Sequence, residues 1–551
     1  MRYINILTLI LTAGAVIFTL LFLLSPSALG IVEGSSLYES KYFDSETVTV
    51  VNITISEENW EEILENPLAE EYHTADITIN GDTYSAVGIR TKGMTSLSSV
   101  ASSDSDRYSF KIKADEYVSG QNFAGLDEFV LNNNYQDPTY MKEYLSYELM
   151  EEIDVPTPLH TYAAVSINGE YWGLYLMVEA IEEDFAMRNF GSSYGELYKP
   201  ETMDMGWDMT PGFDKEMPQM PENFSAPAIS ENSRNPQNGF PMLENFSAPA
   251  FNENSRNSQN GFPMPENFSA PAINENSRNP QNGSPMPEFT GGGFGGFGTG
   301  GGADLVYTDD DTESYSQIFD NAVFGSVSES DKKRVITALQ HLSDGTDIDE
   351  YVDVDSVLRY FAANTALVSL DSYVSSLKHN YYLYEEGGVI SILPWDYNLA
   401  FGTFQSGDAE SVVNFPIDTP VSEGISLEER PLIGSLLEIP AYKEQYHTYL
   451  AYIAEEFFGE SFSKRVDRID SLIGDYVESD PTAFYSYAEY EEGLSAVKIY
   501  AELRAESIRA QLNGTIPATH EGQKNSTVLV DAAELEMQSL GTMDFGGRGG
   551  K

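Results

Sequence analysis

Three polar side chains in the C-terminal half have the types and spacing to form one site: Asp371, Asn380 and Asp396. Asp371 follows the apolar stretch ALVSL, where a helix is expected to end, and Asn380 opens the stretch NYYLY. The turn Gly387-Gly388 then leads into VISILPW, which delivers Asp396. Because two antiparallel strands joined by a tight turn bring their outer ends together, we expect Asn380 and Asp396 to be neighbours, with Asp371 in the adjoining loop.

This grouping predicts metal-assisted phosphoryl transfer. A carboxylate and an amide oxygen are hard ligands that suit Mg²⁺ or Mn²⁺, which assigns Asp396 and Asn380 to a metal. A second carboxylate that binds no metal can orient an attacking hydroxyl, which assigns that role to Asp371. A structural carboxylate bonded to the backbone is the alternative for Asp396. His379 is interpreted as a structural or loop residue, because no second histidine lies at metal spacing.

The N-terminal half offers cations that could hold phosphates. In a chain poor in basic residues, Arg90 and Lys92 occur in GIRTKGMTS, and Lys111 and Lys113 occur in YSFKIKAD. A strand lysine paired with a helix glutamate, here Glu143, would form the ion pair that clamps a nucleotide in kinases. Lys111 and Lys113 cannot be separated by strand parity, because residues two apart share a face. Solvated surface positions are the alternative for all of these groups.

Two further segments complete the predicted nucleotide site. The apolar strand GLYLMVEAI ends at Val178-Glu179, where an adenine-binding hinge between two lobes is expected. Lys199, in the stretch ELYKPE, is another candidate for a phosphate contact.

The elements that must position these residues are strands followed by helices. TVTVVNITI, ADITINGDTYSAVGIRTKG and YSFKIKAD alternate apolar and polar residues as half-buried strands do, and Asn-Gly pairs at 80–81 and 168–169 predict hairpins. DPTYMKEYLSYELMEEI predicts a helix with Asp137 as N-cap and Pro138 at its first position. DKKRVITALQHL, VDSVLRYFAANTALVSL and residues 431–512 predict further helices. The fold class expected is α+β with two lobes.

A repetitive segment interrupts this pattern. Three related copies begin at Pro221, Leu243 and Pro265, a period of 22 residues, and GGGFGGFGTGGG follows at 291–302. Each copy is rich in Pro, Asn and Ser and lacks a face that could bury a core, so residues 204–303 are predicted to be a long disordered insertion. The polar, Gly-rich tail at 513–551 is predicted to be disordered as well.

Composition limits the class of protein. There are 87 Asp and Glu residues against 30 Lys and Arg, a formal charge of −57, which disfavours nucleic-acid binding and favours basic partners. Ile4 to Leu24 is long and apolar enough for a signal peptide or membrane anchor within residues 1–30, so the remainder is expected to be exported. The chain has no cysteine and must depend on its core.

The motifs resemble those of the spore coat CotH kinase family, whose members are atypical secreted kinases distantly similar to the protein-kinase fold. The resemblance runs from about residue 47 to 510. The stretches that carry it are IRTKGMTS, SFKIKADEYVSGQNFAGLDEFVLNNNYQDPTYMKEYLSYELMEEIDVPTP, VSINGEYWGLYLMVEAIEEDF, GELYKPE, LDSYVSSLKHNYYLY and ILPWDYNLAFG.

This resemblance implies an atypical protein-kinase-like fold, with an N-terminal lobe at 45–203 and a C-terminal lobe at 304–512 that holds the catalytic hairpin 371–402. It implies Asp371 as the catalytic carboxylate and Asp396, with Asn380 beside it, as the metal ligand. WDYN lacks the glycine of the usual kinase DFG motif, so ordinary activation-loop regulation is not expected.

The function expected is transfer of the ATP γ-phosphoryl group, with Mg²⁺ or Mn²⁺, to Ser or Thr of a basic extracellular, envelope or coat protein. The alternative is a catalytically silent kinase-fold protein that serves coat assembly or adhesion. The expected location is outside the cell, on its surface or in a spore coat, with membrane contact only through an uncleaved N-terminal helix.

Overall fold

The strands of the N-terminal half close into a barrel. The computed structural model describes residues 36–202, 301–404 and 407–541. Seven strands follow one another around the barrel in the order β1-β2-β3-β4-β5-β7-β6. Their bounds are Thr49–Ile55 (β1), His73–Ile79 (β2), Asp82–Lys92 (β3), Ser109–Lys113 (β4), Glu128–Asn132 (β5), His160–Ile167 (β6) and Glu170–Glu179 (β7). Neighbours are antiparallel, except that β1 pairs in parallel with β6 and so closes the barrel.

Strand alternation separates an apolar interior from an outer face that carries candidate site residues. Along β1 the side chains alternate between buried and exposed, and the interior-facing residues of all seven strands form one hydrophobic core. On the opposite face, Lys111 pairs across the ladder with Val130, and Val130 pairs with Val178. Arg90 on β3 is the register partner of Lys111 on β4, so its side chain lies in the same row. Four of the five cations predicted from the sequence therefore lie on the outer face of β3 and β4, and the fifth, Lys199, directly follows the short strand 196–198.

All three predicted hairpins are confirmed. In each, both central residues have the positive φ angles that a two-residue turn of this twist requires. The turns are Asn80-Gly81 (φ 49° and 95°), Asn168-Gly169 (φ 52° and 90°) and Gly387-Gly388 (φ 62° and 99°). Asn and Gly reach this region at low steric cost, which is why the sequence signal was reliable.

The third hairpin belongs to a small second sheet. Its strands are Glu196–Tyr198 (β8), Tyr381–Glu386 (β9) and Val389–Pro394 (β10), in the order β10-β9-β8. Arg334 fixes the hairpin to a neighbouring helix by donating to both carboxylate oxygens of the buried Glu385, at 2.7 and 2.8 Å. The same carboxylate accepts from the Gly388 backbone N–H at 2.6 Å, so the turn itself is held in place.

Fifteen α-helices lie among the remaining described residues. Those before β9 are Leu37–Tyr42 (α1), Glu57–Glu65 (α2), Thr95–Ala101 (α3), Lys142–Glu152 (α4), Glu183–Phe190 (α5), Ser316–Phe319 (α6), Glu329–Asp344 (α7), Ile348–Tyr351 (α8) and Val354–Ala366 (α9). Those after β10 are Ala409–Val413 (α10), Pro431–Leu437 (α11), Pro440–Tyr452 (α12), Glu460–Glu478 (α13), Tyr487–Leu512 (α14) and His520–Gln523 (α15).

The start of α4 corrects one prediction. The helix begins at Lys142, not at Pro138. Asp137 instead holds the turn that precedes it: one carboxylate oxygen accepts from the Thr139 N–H at 3.0 Å, and the other accepts from the Lys142 N–H at 2.9 Å. The predicted capping residue thus caps the helix from five positions before its first residue.

The C-terminal tail also differs from the prediction. Residues 513–541 are not a disordered extension but pack on the fold, where Ile516, Val530, Leu535 and Leu540 are buried. The Asn414 side chain joins this segment to the helical region, since it donates to the Val530 carbonyl at 2.9 Å and accepts from the Val530 N–H at 3.0 Å. Scattered apolar residues in a polar, Gly-containing sequence gave no periodic signal from which this packing could be read.

The described residues all belong to one compact unit. The barrel and the helical region are not separated into two units, so the predicted division into two lobes stays a prediction. Ala303, assigned to the end of the insertion, is buried, and its carbonyl accepts from the Tyr381 hydroxyl at 2.7 Å. The apolar segment 4–24 and the 22-residue repeats lie outside the described residues. Within the described ranges, no helix combines the length and apolarity needed to cross a bilayer.

Candidate active site

The ends of β9 and β10 lie side by side, as the hairpin predicts. Tyr381, the first residue of β9, pairs with Pro394, the last residue of β10. Asn380 immediately precedes the first of these strands, and Trp395 and Asp396 immediately follow the second. The antiparallel register therefore delivers an amide and a carboxylate to the same end of the small sheet.

Asp371 lies against the start of this hairpin. The Nδ2 atom of Asn380 donates to the backbone carbonyl of Asp371 at 3.0 Å and to its Oδ2 atom at 3.1 Å. The other carboxylate oxygen, Oδ1, lies 2.5 Å from Nε2 of His379. The sequence placed Asp371 beside Asn380 but did not assign His379 to this contact.

Several site residues have an unfavourable backbone conformation. Lys378, Asn380 and Asp396 have φ angles of 52°, 54° and 60°, in the left-handed region that non-glycine residues seldom occupy. Such positions cost about 1–3 kcal/mol each and persist where the surrounding structure determines them. Their concentration around the two carboxylates indicates that the loop geometry serves side-chain placement.

Asp396 presents an available carboxylate. Its backbone N–H donates to the Tyr147 hydroxyl at 3.1 Å. The side chain is half-buried, and within the described part of the chain its oxygens take part in no hydrogen bond or ion pair. The alternative assignment, a structural carboxylate satisfied by backbone groups, therefore does not fit these contacts.

A hydrogen-bonded chain connects Asp396 to the barrel. The Tyr147 hydroxyl, which accepts from Asp396, donates to Oε1 of Glu143 at 3.0 Å. Both carboxylate oxygens of Glu143 accept from Nδ2 of Asn132, at 3.1 and 2.9 Å, and Oδ1 of Asn132 accepts from Nζ of Lys92 at 2.8 Å. The strand lysine linked to the helix glutamate is thus Lys92, and the link runs through an asparagine.

The charges along this chain influence one another. Burial, reinforced by the negative charge of Asp396, raises the pKa of Glu143 to about 7. Burial lowers the pKa of Lys92, while the carboxylates of Asp396 and Glu143 oppose that shift. Lys199 and Lys111 lower the pKa of Lys92 further by like-charge repulsion. The site therefore has an excess of negative charge near the metal-binding candidate and a group of cations beside it.

The other candidate cations have different partners. Lys111 forms an ion pair with Glu128 on β5 at 2.5 Å, and Lys199 pairs with Glu201 at 3.2 Å. Lys113 lies at the surface, 3.5 Å from Glu116. Arg90 pairs with Glu70 and packs over the Tyr72 ring at 5.3 Å. Among the five cations predicted for nucleotide binding, Lys92 is the one hydrogen-bonded into the chain that leads to Asp396.

Val178 and Glu179 contribute in different ways. Val178 is buried on the outer row that also contains Val130 and Lys111. The Glu179 carboxylate is fully buried and satisfied by the Tyr38 hydroxyl at 2.6 Å, the Leu159 N–H at 2.9 Å and Arg188. The Glu179 side chain consequently has a structural role, and its carboxylate is omitted from the site proposed below.

The donor atoms suit a divalent metal that also binds phosphate. Asn380 directs its amide nitrogen at Asp371, which leaves its Oδ1 atom without a partner among the described residues. In the same described ranges, no group of three or more His, Asp or Glu residues is arranged to hold a metal. Mg²⁺ needs fewer protein ligands when phosphate oxygens and water complete its coordination, so Asp396 and Asn380 fit that ion.

Asn132 and Tyr147 are the residues that sequence reasoning missed. Asn132, in the run LNNNYQ, is the last residue of β5, and Tyr147 lies four positions after Glu143 on one helix face. The four-residue spacing between Glu143 and Tyr147 is a signal that can be read from the sequence. The role of Asn132 becomes apparent only when β3 and β5 are known to share the outer face of the barrel.

Comparison with known proteins finds one family match and one short stretch of similarity to a curated protein. Residues 89–237 and 295–508, more than half of the chain, match the family described as "CotH kinase protein". A stretch of 67 residues is 35% identical to "Inner spore coat protein H" of Bacillus subtilis (strain 168). That stretch covers 12% of this chain and 18% of the Bacillus protein, so less than a fifth of the relative's length is matched.

Proposed function

Because the chain belongs to the CotH kinase protein family, we propose that it is a metal-dependent kinase that transfers the ATP γ-phosphoryl group to Ser or Thr of a coat or envelope protein. The similarity to an inner spore coat protein supports a location in or near a spore coat. The N-terminal apolar segment 4–24 supports export.

The observation that carries this proposal is the hydrogen-bonded chain from Lys92 through Asn132, Glu143 and Tyr147 to the backbone of Asp396. It would couple a phosphate-binding cation to the backbone of the residue whose carboxylate would bind the metal, and phosphoryl transfer requires these two groups at a fixed separation. Glu143 is central to it, because its two oxygens orient both neighbours.

Asp396 and Oδ1 of Asn380 would hold Mg²⁺ or Mn²⁺. A bound divalent ion supplies neutralisation of the phosphate oxygens and orientation of the γ-phosphoryl group. Glu143, whose pKa burial and, second, the nearby Asp396 carboxylate raise to about 7, lies beside the proposed metal-binding carboxylate.

The remaining residues orient the two substrates. Asp371 would accept a hydrogen bond from the attacking hydroxyl and take its proton as the phosphoryl group transfers. Lys92, with Lys199 nearby, would neutralise phosphate oxygens. The apolar pair Val130 and Val178 on the outer face of the barrel would receive the adenine ring.

Charge supports a basic acceptor protein. With a formal charge of −57, the chain attracts Lys- or Arg-rich partners and repels acidic ones. The substrate class proposed is therefore a Ser-containing basic protein, with association that weakens as salt concentration increases.

The test is phosphate transfer from labelled ATP to a basic, Ser-containing protein by the full chain, with Mg²⁺ or Mn²⁺. Asp396→Asn and Asp371→Asn are each expected to lower kcat at least about a hundredfold, because one removes a metal ligand and the other a proton acceptor. Asp344→Asn changes an exposed carboxylate at the end of α7 and is the matched control, with activity expected to stay at the wild-type value.

Two results would contradict the proposal. One is full activity of Asp396→Asn with either metal. The other is wild-type protein that neither transfers phosphate nor gains thermal stability on addition of ATP with Mg²⁺ or Mn²⁺, which would favour a non-catalytic role in coat assembly or adhesion.

A further inference from the structure

His379 makes a contact that a loop histidine does not need. Its Nε2 atom lies 2.5 Å from Oδ1 of Asp371, while Oδ2 of the same carboxylate accepts from the adjacent residue, Asn380. We propose that His379 is a positioning residue that, with Asn380, sets the orientation of the Asp371 carboxylate for the incoming hydroxyl. This inference rests on the kinase function proposed above.

The chemistry of the contact determines which ring nitrogen carries the proton. An ionised carboxylate can only accept hydrogen bonds, so Nε2 of His379 must be the donor. With one donor on each oxygen, rotation of the carboxylate about its Cβ–Cγ bond would break both bonds. The remaining lone pairs of the two oxygens stay available to a substrate hydroxyl.

The backbone conformation on both sides of His379 supports a specific placement of its side chain. Lys378 and Asn380 are both in the left-handed region, with φ angles of 52° and 54°. Lys378 is also fixed by an ion pair with Asp304 at 3.2 Å. Two strained residues around a single histidine are an energetic cost that a connecting loop could avoid, and strain of this kind concentrates at sites where placement matters.

A second His–Asp pair shows what distinguishes this one. Nε2 of His447 lies 2.7 Å from Oδ1 of Asp418, but Asp418 also forms an ion pair with Lys443 at 2.7 Å. That carboxylate already has a permanent cation and lies in the helical region. Asp371, by contrast, has no lysine or arginine partner among the described residues, so His379 and Asn380 alone hold its side chain.

The experiment compares two amide replacements at the same position. The amide nitrogen of glutamine can reach the place of Nε2, whereas that of asparagine is one methylene shorter. His379→Asn is expected to lower kcat about tenfold to a hundredfold, the cost of a misplaced reacting group, with KM for ATP within about twofold. His379→Gln should recover kcat to within about threefold of wild type. His447→Asn is the matched control and should leave both constants unchanged.

A second measurement does not depend on activity. In full-chain protein labelled with ¹⁵N-histidine, the His379 signal, identified by its loss in His379→Gln, should show a protonated Nε2 atom. Asp371→Ala should change that signal, and Asp344→Asn should not. If wild type transfers no phosphate but the signal behaves in this way, the proposed function fails while the His379–Asp371 contact stands.

Either of two outcomes overturns the inference. One is equal activity of His379→Asn and His379→Gln, whether both match wild type or both are inactive, because donor reach would then be irrelevant. The other is an Nε2 atom without a proton, or a His379 signal that does not respond to Asp371→Ala, because His379 would then not donate to that carboxylate.

Discussion

At the level of single residues, Lys92 is the cation whose surroundings differ from those of the other candidate lysines. Its ammonium group is partly buried, donates to Asn132 and faces the charges of Asp396 and Glu143. Lys111 instead forms a direct ion pair with Glu128. Lys92 is held by an amide and not by a direct carboxylate contact, so its ammonium group can also donate to phosphate oxygens.

Replacement of Lys92 by methionine should therefore lower kcat/KM for ATP about a hundredfold or more, the range for removal of one preorganised charge. Lys111→Met should lower it less than tenfold. Lys464→Met changes an exposed lysine on α13 and is the control. Steady-state kinetics with labelled ATP measures all three. A larger loss in Lys111→Met than in Lys92→Met would reverse the assignment.

Glu143 gives the site a predictable dependence on pH. The pKa of its carboxyl group is about 7 in the folded protein against an ordinary value of 4.5, chiefly because it is buried. Between these values the native state holds a proton that the unfolded chain has released. The free energy of unfolding consequently falls as pH rises from about 4.5 to about 7, and Glu143 contributes to that fall.

Glu143→Gln should flatten this dependence. Chemical denaturation at pH 5 and pH 8 is expected to show a smaller loss of unfolding free energy in the variant than in wild type. Glu492→Gln, at an exposed position on α14, should behave as wild type. Identical pH slopes in wild type and Glu143→Gln would mean that the buried carboxyl group does not titrate in this range.

The sequence could predict the end of the candidate site that is proposed to bind a metal, but not its cation. Asp371, Asn380 and Asp396 follow from the order of a helix, a turn and two strands, all of which are local signals. The choice of Lys92 over Lys111 depends on Asn132 and on how α4 packs against the barrel. These are contacts between segments distant in the sequence, and strand parity gives all the candidates the same face.

At the level of elements, the loop from Asp371 to Asn380 is held by a buried arginine. Arg430 is 3% exposed, and its guanidinium group donates to the backbone carbonyls of Tyr373, at 2.8 Å, and Ser375. It forms no ion pair with a carboxylate among the described residues. A buried charge satisfied only by carbonyl oxygens is costly, which indicates that its role is to fix the backbone of this loop.

Arg430→Lys keeps the charge but loses the planar group that spans two carbonyls. We expect kcat to fall at least about tenfold, since the loop carries Asp371, and the variant to unfold at a lower temperature. Arg509→Lys is the control, because Arg509 also donates to a carbonyl, that of Ala454, but is exposed. Kinetics and thermal unfolding of both variants test this. Unchanged kcat in Arg430→Lys would remove the arginine from the positioning of the loop.

Hairpins were predicted correctly from the sequence because their turn residues are a local signal, whereas the start of α4 was not. The Asn-Gly and Gly-Gly hairpins were found because the left-handed turn residues specify them. The start of α4 was misplaced because Asp137 followed by Pro138 has the form of a helix N-terminus. In the structure, the Asp137 carboxylate also bonds the Thr139 hydroxyl at 2.6 Å, which stabilises a separate turn before the helix.

At the level of the whole molecule, the barrel is joined to the helical region by an ion pair that no local pattern could reveal. Arg107 and Asp480 are both fully buried, with Nη1 of Arg107 at 2.8 Å from one carboxylate oxygen and 2.9 Å from the other. Asp480 also accepts from the Leu174 N–H at 2.9 Å, and Arg107 Nε donates to the Asn133 carbonyl at 2.9 Å. The pair thus connects β7 and the β5 loop to the segment after α13.

Removal of one partner should be strongly destabilising because it leaves the other charge buried and unpaired. Asp480→Asn is expected to lower the free energy of unfolding by about 3–5 kcal/mol. The control is Asp467→Asn, which breaks the exposed ion pair with Lys498 and should cost no more than about 1 kcal/mol. Urea denaturation of the full chain, followed by tryptophan fluorescence, measures both.

The double variant Arg107→Met/Asp480→Leu separates the charge from the packing. If the main cost in Asp480→Asn is an unpaired buried arginine, removal of both charges should recover part of the lost stability, because two apolar side chains need no partner. A double variant less stable than Asp480→Asn would instead show that the bonds of Arg107 to Asn133 and Leu174 hold the barrel against the helices.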